Sequence, residues 1–166
     1  MSGKWHAGHY SMKQTPLGVG FNTSLGYFSG ACDHWTQNLY LPPGSTKAPT
    51  VDLWDTDKAA KTLNGTAYGD FLYVGRAVET IMSHDTANPL FYYLAMQCAH
   101  DPMEAPRHYK NLYDPDIIPD SDIEIHDMRT EYAFAAIIDE GLSNVTNALK
   151  TKGMWDNTLL VVSADK

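Results

Sequence analysis

No apolar run in the 166-residue chain approaches the roughly 18 to 20 residues that a membrane-spanning helix requires. The longest runs, Pro89 to Met96 and Leu159 to Val162, are the length of strands. The amino terminus, Met1-Ser2-Gly3-Lys4-Trp5-His6, lacks the basic start, apolar centre and small-residue cleavage site of a secretory signal. Cysteine is scarce: Cys32 and Cys98 cannot build a disulfide scaffold and have neither metal-ligand nor redox spacing. Buried free thiols are the expected state, with a single disulfide as the alternative. Basic charge is in deficit, with 12 Lys and Arg against 20 Asp and Glu and a net charge of -8. A surface of that sign repels nucleic acid and anionic membranes, so an anionic ligand has to be held by a local positive cluster. Repeats and low-complexity tracts are missing as well. A hydrophobic content of 43% is globular composition, and the length suits one domain with a real core.

What is present alternates loop-rich and periodic stretches. Glycines and the Pro42-Pro43-Gly44 and Asn64-Gly65 breaks make residues 7–66 loops and short extended pieces. A helix is predicted from Asp70, a good amino-terminal cap, to about His84, with Phe71, Gly75, Val78, Ile81 and Met82 on one face. Pro89 opens Leu90-Phe91-Tyr92-Tyr93-Leu94-Ala95-Met96, apolar on both faces as in a strand buried within a parallel sheet. Residues 101–127, proline-rich and acidic, are expected to be a binding loop or mobile segment. A second helix is predicted over 128–150, with a stripe of Ala133, Ala136, Ile137, Val145, Ala148 and Leu149 and a stop at Gly153. Thr158-Leu159-Leu160-Val161-Val162-Ser163 has the composition of another buried strand. The alternation of helix and strand argues for an α/β fold with a mostly parallel central sheet flanked by helices.

Such sheets hold ligands beyond the carboxyl ends of their strands, which draws attention to Lys4, His6, His100 and Asp165. Lys4 and His6, two positions apart, point the same way in an extended segment and can form an anion or oxyanion site. The alternative is a solvated lysine beside an incidental histidine. His100 follows an expected strand and can serve as a general acid near neutral pH, or simply bond to Asp101 or to backbone. Asp165 suits a hard-metal ligand, a helix cap or a loop. His6-Ala7-Gly8-His9 invites a zinc reading, but no further donor pair stands out. Trp35, Trp54, Tyr68, Tyr92 and Tyr113 could line a sugar site, with core packing the plainer account. Asn22, Asn64 and Asn144 each begin a glycosylation sequon.

In this order the pieces resemble the sulfatase family, especially arylsulfatases of the N-acetylgalactosamine-4-sulfatase (arylsulfatase B) type. Gly3-Lys4-Trp5-His6-Ala7-Gly8 looks like the family's second signature. Pro16-Leu17-Gly18-Val19-Gly20-Phe21, Leu25-Gly26-Tyr27-Phe28-Ser29-Gly30, Val51-Asp52-Leu53-Trp54 and His100-Asp101-Pro102 follow in family order. Asp139-Glu140, Asn144-Val145-Thr146 and Gly153-Met154-Trp155-Asp156-Asn157-Thr158 then resemble the approach to a metal-binding aspartate.

The resemblance implies an alkaline-phosphatase-like α/β domain and a sulfuric ester hydrolase. In such an enzyme a cysteine-derived formylglycine attacks sulfur and calcium polarises the sulfate. It implies that Lys4 contacts sulfate and formylglycine, that His6 assists the formylglycine hydroxyl, that His100 contacts sulfate and protonates the leaving oxygen, and that Asp165 binds calcium. The implied partner is a sulfated carbohydrate or aryl sulfate ester, in a secretory, lysosomal or extracellular setting. Two departures shape the expectation. Neither cysteine stands in the Cys-x-Pro/Ala-x-Arg nucleophile motif, and Asp165-Lys166 stands where the family continues Asp-Asn-Gly-Gly. Residues 1–166 are therefore expected to be an internal piece of the catalytic domain, inactive by itself. A phosphodiesterase or phosphonate hydrolase of the same superfamily and a non-catalytic module that binds sulfated glycans are the alternatives.

Overall fold

Small residues at the start of the chain let it enter the middle of a sheet. In this computed structural model, which describes residues 1–39, 41, 45, 46, 48, 50–113, 116 and 128–164, β1 (Ser2–Lys4) lies between β2 (Leu25–Tyr27) and β5 (Leu94–Ala95) and is parallel to both. Beyond β2, β3 (Trp54–Asp55) and β4 (Lys58–Ala59) run antiparallel, giving the order β4-β3-β2-β1-β5. The sheet is thus parallel at its centre and antiparallel on one flank. The difference from the expected mostly parallel sheet has a local cause. Thr56, at φ 60°, and Asp57 close a two-residue hairpin where a parallel pair would need a crossover.

Among the described residues three α-helices cover the sheet and one another: α1 (Gly69–Ser83), the single turn α2 (Arg107–Lys110) and the long α3 (Met128–Thr151). α1 ends at His84, as expected. Its buried face is nevertheless rotated from the predicted one. Tyr73, Val74, Ala77 and Ile81 are buried, whereas Phe71 and Met82 are exposed and turn toward the groove beside α3. The predicted stripe followed hydropathy alone and could not credit the buried Asp70 or the Tyr73 ring. Asp70 is also not the cap: Tyr68 holds that position, and the Asp70 side chain is spent elsewhere. α3 matches its expected stripe at Ala133, Ile137, Ala148 and Leu149, and adds the buried Phe134 and Thr130. It stops at Gly153, whose φ of 74° allows Gly153 N–H to reach Lys150 O and Met154 N–H to reach Leu149 O.

Two expected strands are corrected. Of the run 90–96 only Leu94–Ala95 pairs, and Phe91 is 79% exposed. The segment 158–163 pairs with no strand among the described residues, with Leu159 89% and Val161 73% exposed. Composition signals burial but does not name a partner strand, and none of the described strands lies alongside 158–163. The 101–127 stretch is also less uniform than expected, since Pro106 precedes α2, while residues 114, 115 and 117–127 lie outside the described set.

The core forms where α1 meets both layers. Toward the sheet, Tyr73 packs with Leu25, Tyr27, Cys32 and Leu53. Toward α3, Tyr68 and Cys98 pack with Ala133, Phe134 and Ile137. Ser2, fully buried in β1, donates its hydroxyl to the Tyr73 carbonyl at 2.7 Å and accepts from the Tyr92 hydroxyl at 2.8 Å, so helix and sheet share a buried polar tie. Arg76 adds a bidentate ion pair from α1 to Asp55 of β3, at 2.9 and 3.1 Å.

Close approach of β1 and β5 sets a sharp steric demand at Gly3. Its φ is 99°, and a Cβ there would stand 1.8 Å from the Ala95 carbonyl oxygen. Gly3→Ala is expected to destabilise the fold by roughly 3 kcal/mol or more, through backbone strain and overpacking together. Gly65→Ala, at φ 68° with nothing within 4 Å, is expected to cost about 1 kcal/mol. Urea titration of the two variants checks the contrast, and equal costs would contradict it.

The Asp55 pair gives a pH signature. Hydrogen bonds from Arg76 hold the Asp55 carboxyl below its usual range, so the folded state favours the ionised form. That stabilisation is present above the unfolded carboxyl pKa of about 3.9 and is lost as pH falls through the lower folded value. Asp55 is 31% exposed, and solvent screening limits the pair to about 1 kcal/mol or less. Asp55→Asn is expected to lose that much at pH 7 and progressively less as pH falls through the lowered carboxyl value. Denaturant midpoints across pH measure the difference.

Candidate active site at the carboxyl edge of the sheet

Parallel strands bring three chain segments out on one side of the sheet. β1 delivers Lys4, Trp5 and His6; β2 delivers Phe28, Ser29 and Gly30; β5 delivers Gln97 through His100. Each segment is anchored by a side chain that bonds backbone. After β1, the Trp5 indole N–H donates to the carbonyls of Gly8 and Gln14, both at 2.8 Å, and its ring meets Phe21 edge to face. After β2, the Asp52 carboxylate accepts from Phe28 N–H at 3.1 Å, Ser29 N–H at 2.9 Å and the Trp54 indole at 3.1 Å.

After β5, Asp70 performs the same service from inside the protein. Wholly buried, it accepts from Gln97 N–H at 2.7 Å and Cys98 N–H at 3.3 Å, with the Cys98 thiol donating at 2.9 Å. Burial pushes the Asp70 carboxyl above its ordinary pKa, against these donors. His34 completes the support. Its ring is stacked between Tyr68, at 5.0 Å, and Phe134, at 5.5 Å, and its Nε2 lies 3.2 Å from the His100 carbonyl oxygen. A carbonyl can only accept, so Nε2 carries the hydrogen. Burial lowers the His34 pKa despite the nearby Asp70, which keeps the ring neutral.

The sequence-predicted residues divide as follows. Lys4, His6 and His100 emerge together on this edge. The expectation that Lys4 and His6 share one direction in an extended segment is corrected, because His6 leaves the strand at φ 45° and folds over Gly30. A Cβ on Gly30 would lie 2.7 Å from His6 Nε2, so a side chain there would displace that exposed ring. His100 is half-buried, and its Nδ1 lies 3.0 Å from the Asp101 carbonyl oxygen, the backbone bond expected as its alternative. Among the described residues the Lys4 and His6 side chains make no ion pair. Asp165 lies outside the described residues. Of the sequon asparagines, Asn22 and Asn144 are exposed, whereas Asn64 donates to the Thr36 carbonyl. The aromatic residues follow the plainer account at Tyr68, which is buried, while Trp35 is exposed.

Sequence reasoning missed His34 and read Asp70 only as a cap. A histidine between Asp33 and Trp35 gives no periodic signal, and the Asp70–Cys98 contact spans 28 residues. A cavity of about 680 Å³ between α1 and α3, lined by Val74, Val78, Met82, Ile137 and Ala148, includes none of the three edge residues.

Both thiols are free and buried, as expected. Burial first, then the Asp52 charge for Cys32 and the Asp70 charge for Cys98, raises each thiol well above its ordinary value. Iodoacetamide at pH 8 is therefore expected to label neither cysteine in the native chain and both in urea, without reductant. Mass spectrometry counts the adducts, and failure to label the denatured chain would reveal a disulfide instead.

The profile of the family described as Sulfatase matches residues 1–166. Arylsulfatase J of Mus musculus is 34% identical over 165 residues, which are 99% of this chain and 26% of that protein. The arylsulfatase of Klebsiella aerogenes is 28% identical over 118 residues, 69% of this chain and 25% of that one. The crystal structure of Ps i-CgsB in complex with k-i-k-neocarrahexaose superposes with a TM-score of 0.72 at 22% identity, covering 94% of this chain and 34% of that chain. The chain spans about a quarter of the length of these curated relatives.

Proposed function

The chain belongs to the sulfatase family, and we propose that it is one part of the catalytic domain of a sulfuric ester hydrolase. The carrying observation is that Lys4 and His6 leave β1, and His100 follows β5, at the same carboxyl edge of the parallel strands. Hydrolysis of a sulfate ester transfers the sulfuryl group from an alcohol oxygen to a nucleophile. The sulfate oxygens gather negative charge, and the departing oxygen needs a proton. Lys4 is the group that offsets the charge, His100 the one that contacts sulfate and protonates the departing oxygen, and His6 the one that assists the nucleophile. Anchoring of their strand ends by Trp5 and Asp70 favours such work, because a positioned donor needs little reorganisation.

Calcium and formylglycine belong to the proposal for a longer protein. Calcium takes six to eight oxygen ligands, whereas the described edge offers nitrogen groups and the exposed Asp101. Those residues do not by themselves fit the ion, and Asp165 is the remaining candidate ligand. Cys32 and Cys98 are buried and outside the nucleophile motif, so the formylglycine precursor is assigned to another segment. Exposed Asn22 and Asn144 suit glycosylation in a secretory, lysosomal or extracellular protein. No described helix is long and apolar enough to cross a membrane. The substrate class is a sulfated sugar or an aryl sulfate.

Turnover of a chromogenic aryl sulfate by the 166-residue chain, and by a protein extended at both ends, tests the reading. The short chain is expected to be inactive and the extended one active. In the latter, Lys4→Ala and His100→Ala are each expected to lower kcat by about 10²- to 10⁴-fold. Turnover by the short chain would overturn its assignment as one part of the site. Wild-type rates in both variants would overturn the residue roles.

A further inference from the structure

Two lone pairs face each other in the core with no hydrogen between them. His34 spends its Nε2–H on the His100 carbonyl, which leaves Nδ1 an acceptor. Nδ1 is fully buried, has no hydrogen-bond partner, and points at Asp70 Oδ2 from 3.9 Å. Both side chains are 0% exposed. A neutral imidazole beside a carboxylate at that distance makes no hydrogen bond, and an unpaired buried acceptor is destabilising. Cys98 Sγ, 2.9 Å from the same Oδ2, brings a third ligating atom. One nitrogen, one oxygen and one sulfur thus lie within 4.8 Å of one another.

We propose that His34 Nδ1, Asp70 Oδ2 and Cys98 Sγ form a binding site for a divalent cation of the zinc class, separate from the carboxyl-edge groups and independent of the hydrolase reading. Mixed imidazole, carboxylate and thiolate donors suit a borderline-soft ion and exclude calcium or magnesium as the preferred occupant. Charge balance agrees: a neutral imidazole, a carboxylate and a thiolate around a dication sum to zero, the sum a dry interior tolerates. Binding moves the thiol proton from Cys98 to solvent as the sulfur–metal bond forms, so affinity falls with falling pH. The Tyr68 hydroxyl, 3.4 Å from Cys98 Sγ, stands nearby for the remaining position of a four-coordinate ion. The second nitrogen of His34 already has the backbone partner that fixes the ring of a metal-bound histidine. Entry is through the 97–100 loop, where Cys98 is 9% exposed and Ala99 is open to solvent.

The test titrates the reduced, chelator-treated chain with Co²⁺, followed by Zn²⁺. One equivalent of cobalt is expected to produce a thiolate-to-cobalt charge-transfer band in the near ultraviolet, abolished by zinc. Cys98→Ser is expected to remove the band, and His34→Gln to weaken cobalt binding on the order of 100-fold, with far-ultraviolet circular dichroism unchanged. Cys32→Ser and the His6→Asn, His9→Asn pair are expected to retain it. Three results overturn the site: a wild-type cobalt complex without a thiolate band, a band that survives Cys98→Ser, or one that disappears in a folded Cys32→Ser chain. If Cys98→Ser does not fold, the wild-type spectrum and the His34→Gln affinity decide.

Discussion

A single buried carboxylate joins the two halves of this molecule. Asp70 stands in the first turn of α1 but accepts the amides of Gln97 and Cys98, the residues that carry the chain out of β5. An anion at the amino-terminal end of a helix is favoured by the helix dipole as well, so Asp70 serves α1 and the β5 exit together. The approach of α3 depends on this arrangement. Phe134 and Ile137 pack on Tyr68 and Cys98, directly over the polar group, and the His34 ring fills the space between Tyr68 and Phe134. Burying a carboxylate is costly unless donors meet it. Three donors meet Asp70, and all come from two consecutive residues.

That dependence explains which features could be read from the sequence. α3 was legible because its stripe is long, apolar and repeated, and because Gly153 supplies a left-handed stop. α1 was legible in extent but not in facing. Hydropathy placed Phe71 and Met82 inward, whereas its buried face includes a charged residue and a tyrosine. The parallel centre of the sheet followed from alternation, yet the β3–β4 hairpin rests on two-residue strands too short to show a period. Strand composition at 158–163 was real, but pairing is a property of two segments and one sequence run names only one of them.

The site divides in the same way. Lys4 and His6 could be found as candidates because a cation and an imidazole stand two positions apart, and His100 because it follows a run with its own strand signal; parallel order puts the exits of β1 and β5 on one edge. Their supports could not. Asp52 bonds a segment 23 and 24 residues earlier in the chain, and Asp70 one 27 and 28 residues later. A side chain that satisfies distant backbone leaves no local pattern. Gly30 illustrates the point: its lack of a Cβ matters only because His6 turns back over it, and that turn is a left-handed residue no propensity assigns.

Net charge and local charge point in opposite directions here, and the division of labour among acidic residues reconciles them. A chain of net charge -8 should repel a sulfate ester at long range. Four of the 20 acidic side chains are engaged by the fold: Asp33 accepts from the amides of Trp35 and Thr36, Asp52 from those of Phe28 and Ser29, Asp70 from those of Gln97 and Cys98, and Asp55 from the Arg76 guanidinium. Each of these carboxylates is directed into a turn, a strand end or an ion pair. The carboxyl edge keeps an ammonium and two imidazoles without an acidic partner among the described residues. At contact distance the Coulomb field of the nearest groups outweighs a diffuse surface charge that salt screens within about 8 Å. An acidic protein can therefore present an ammonium and two imidazoles at an edge whose strand exits are braced by two of its own carboxylates, Asp52 and Asp70.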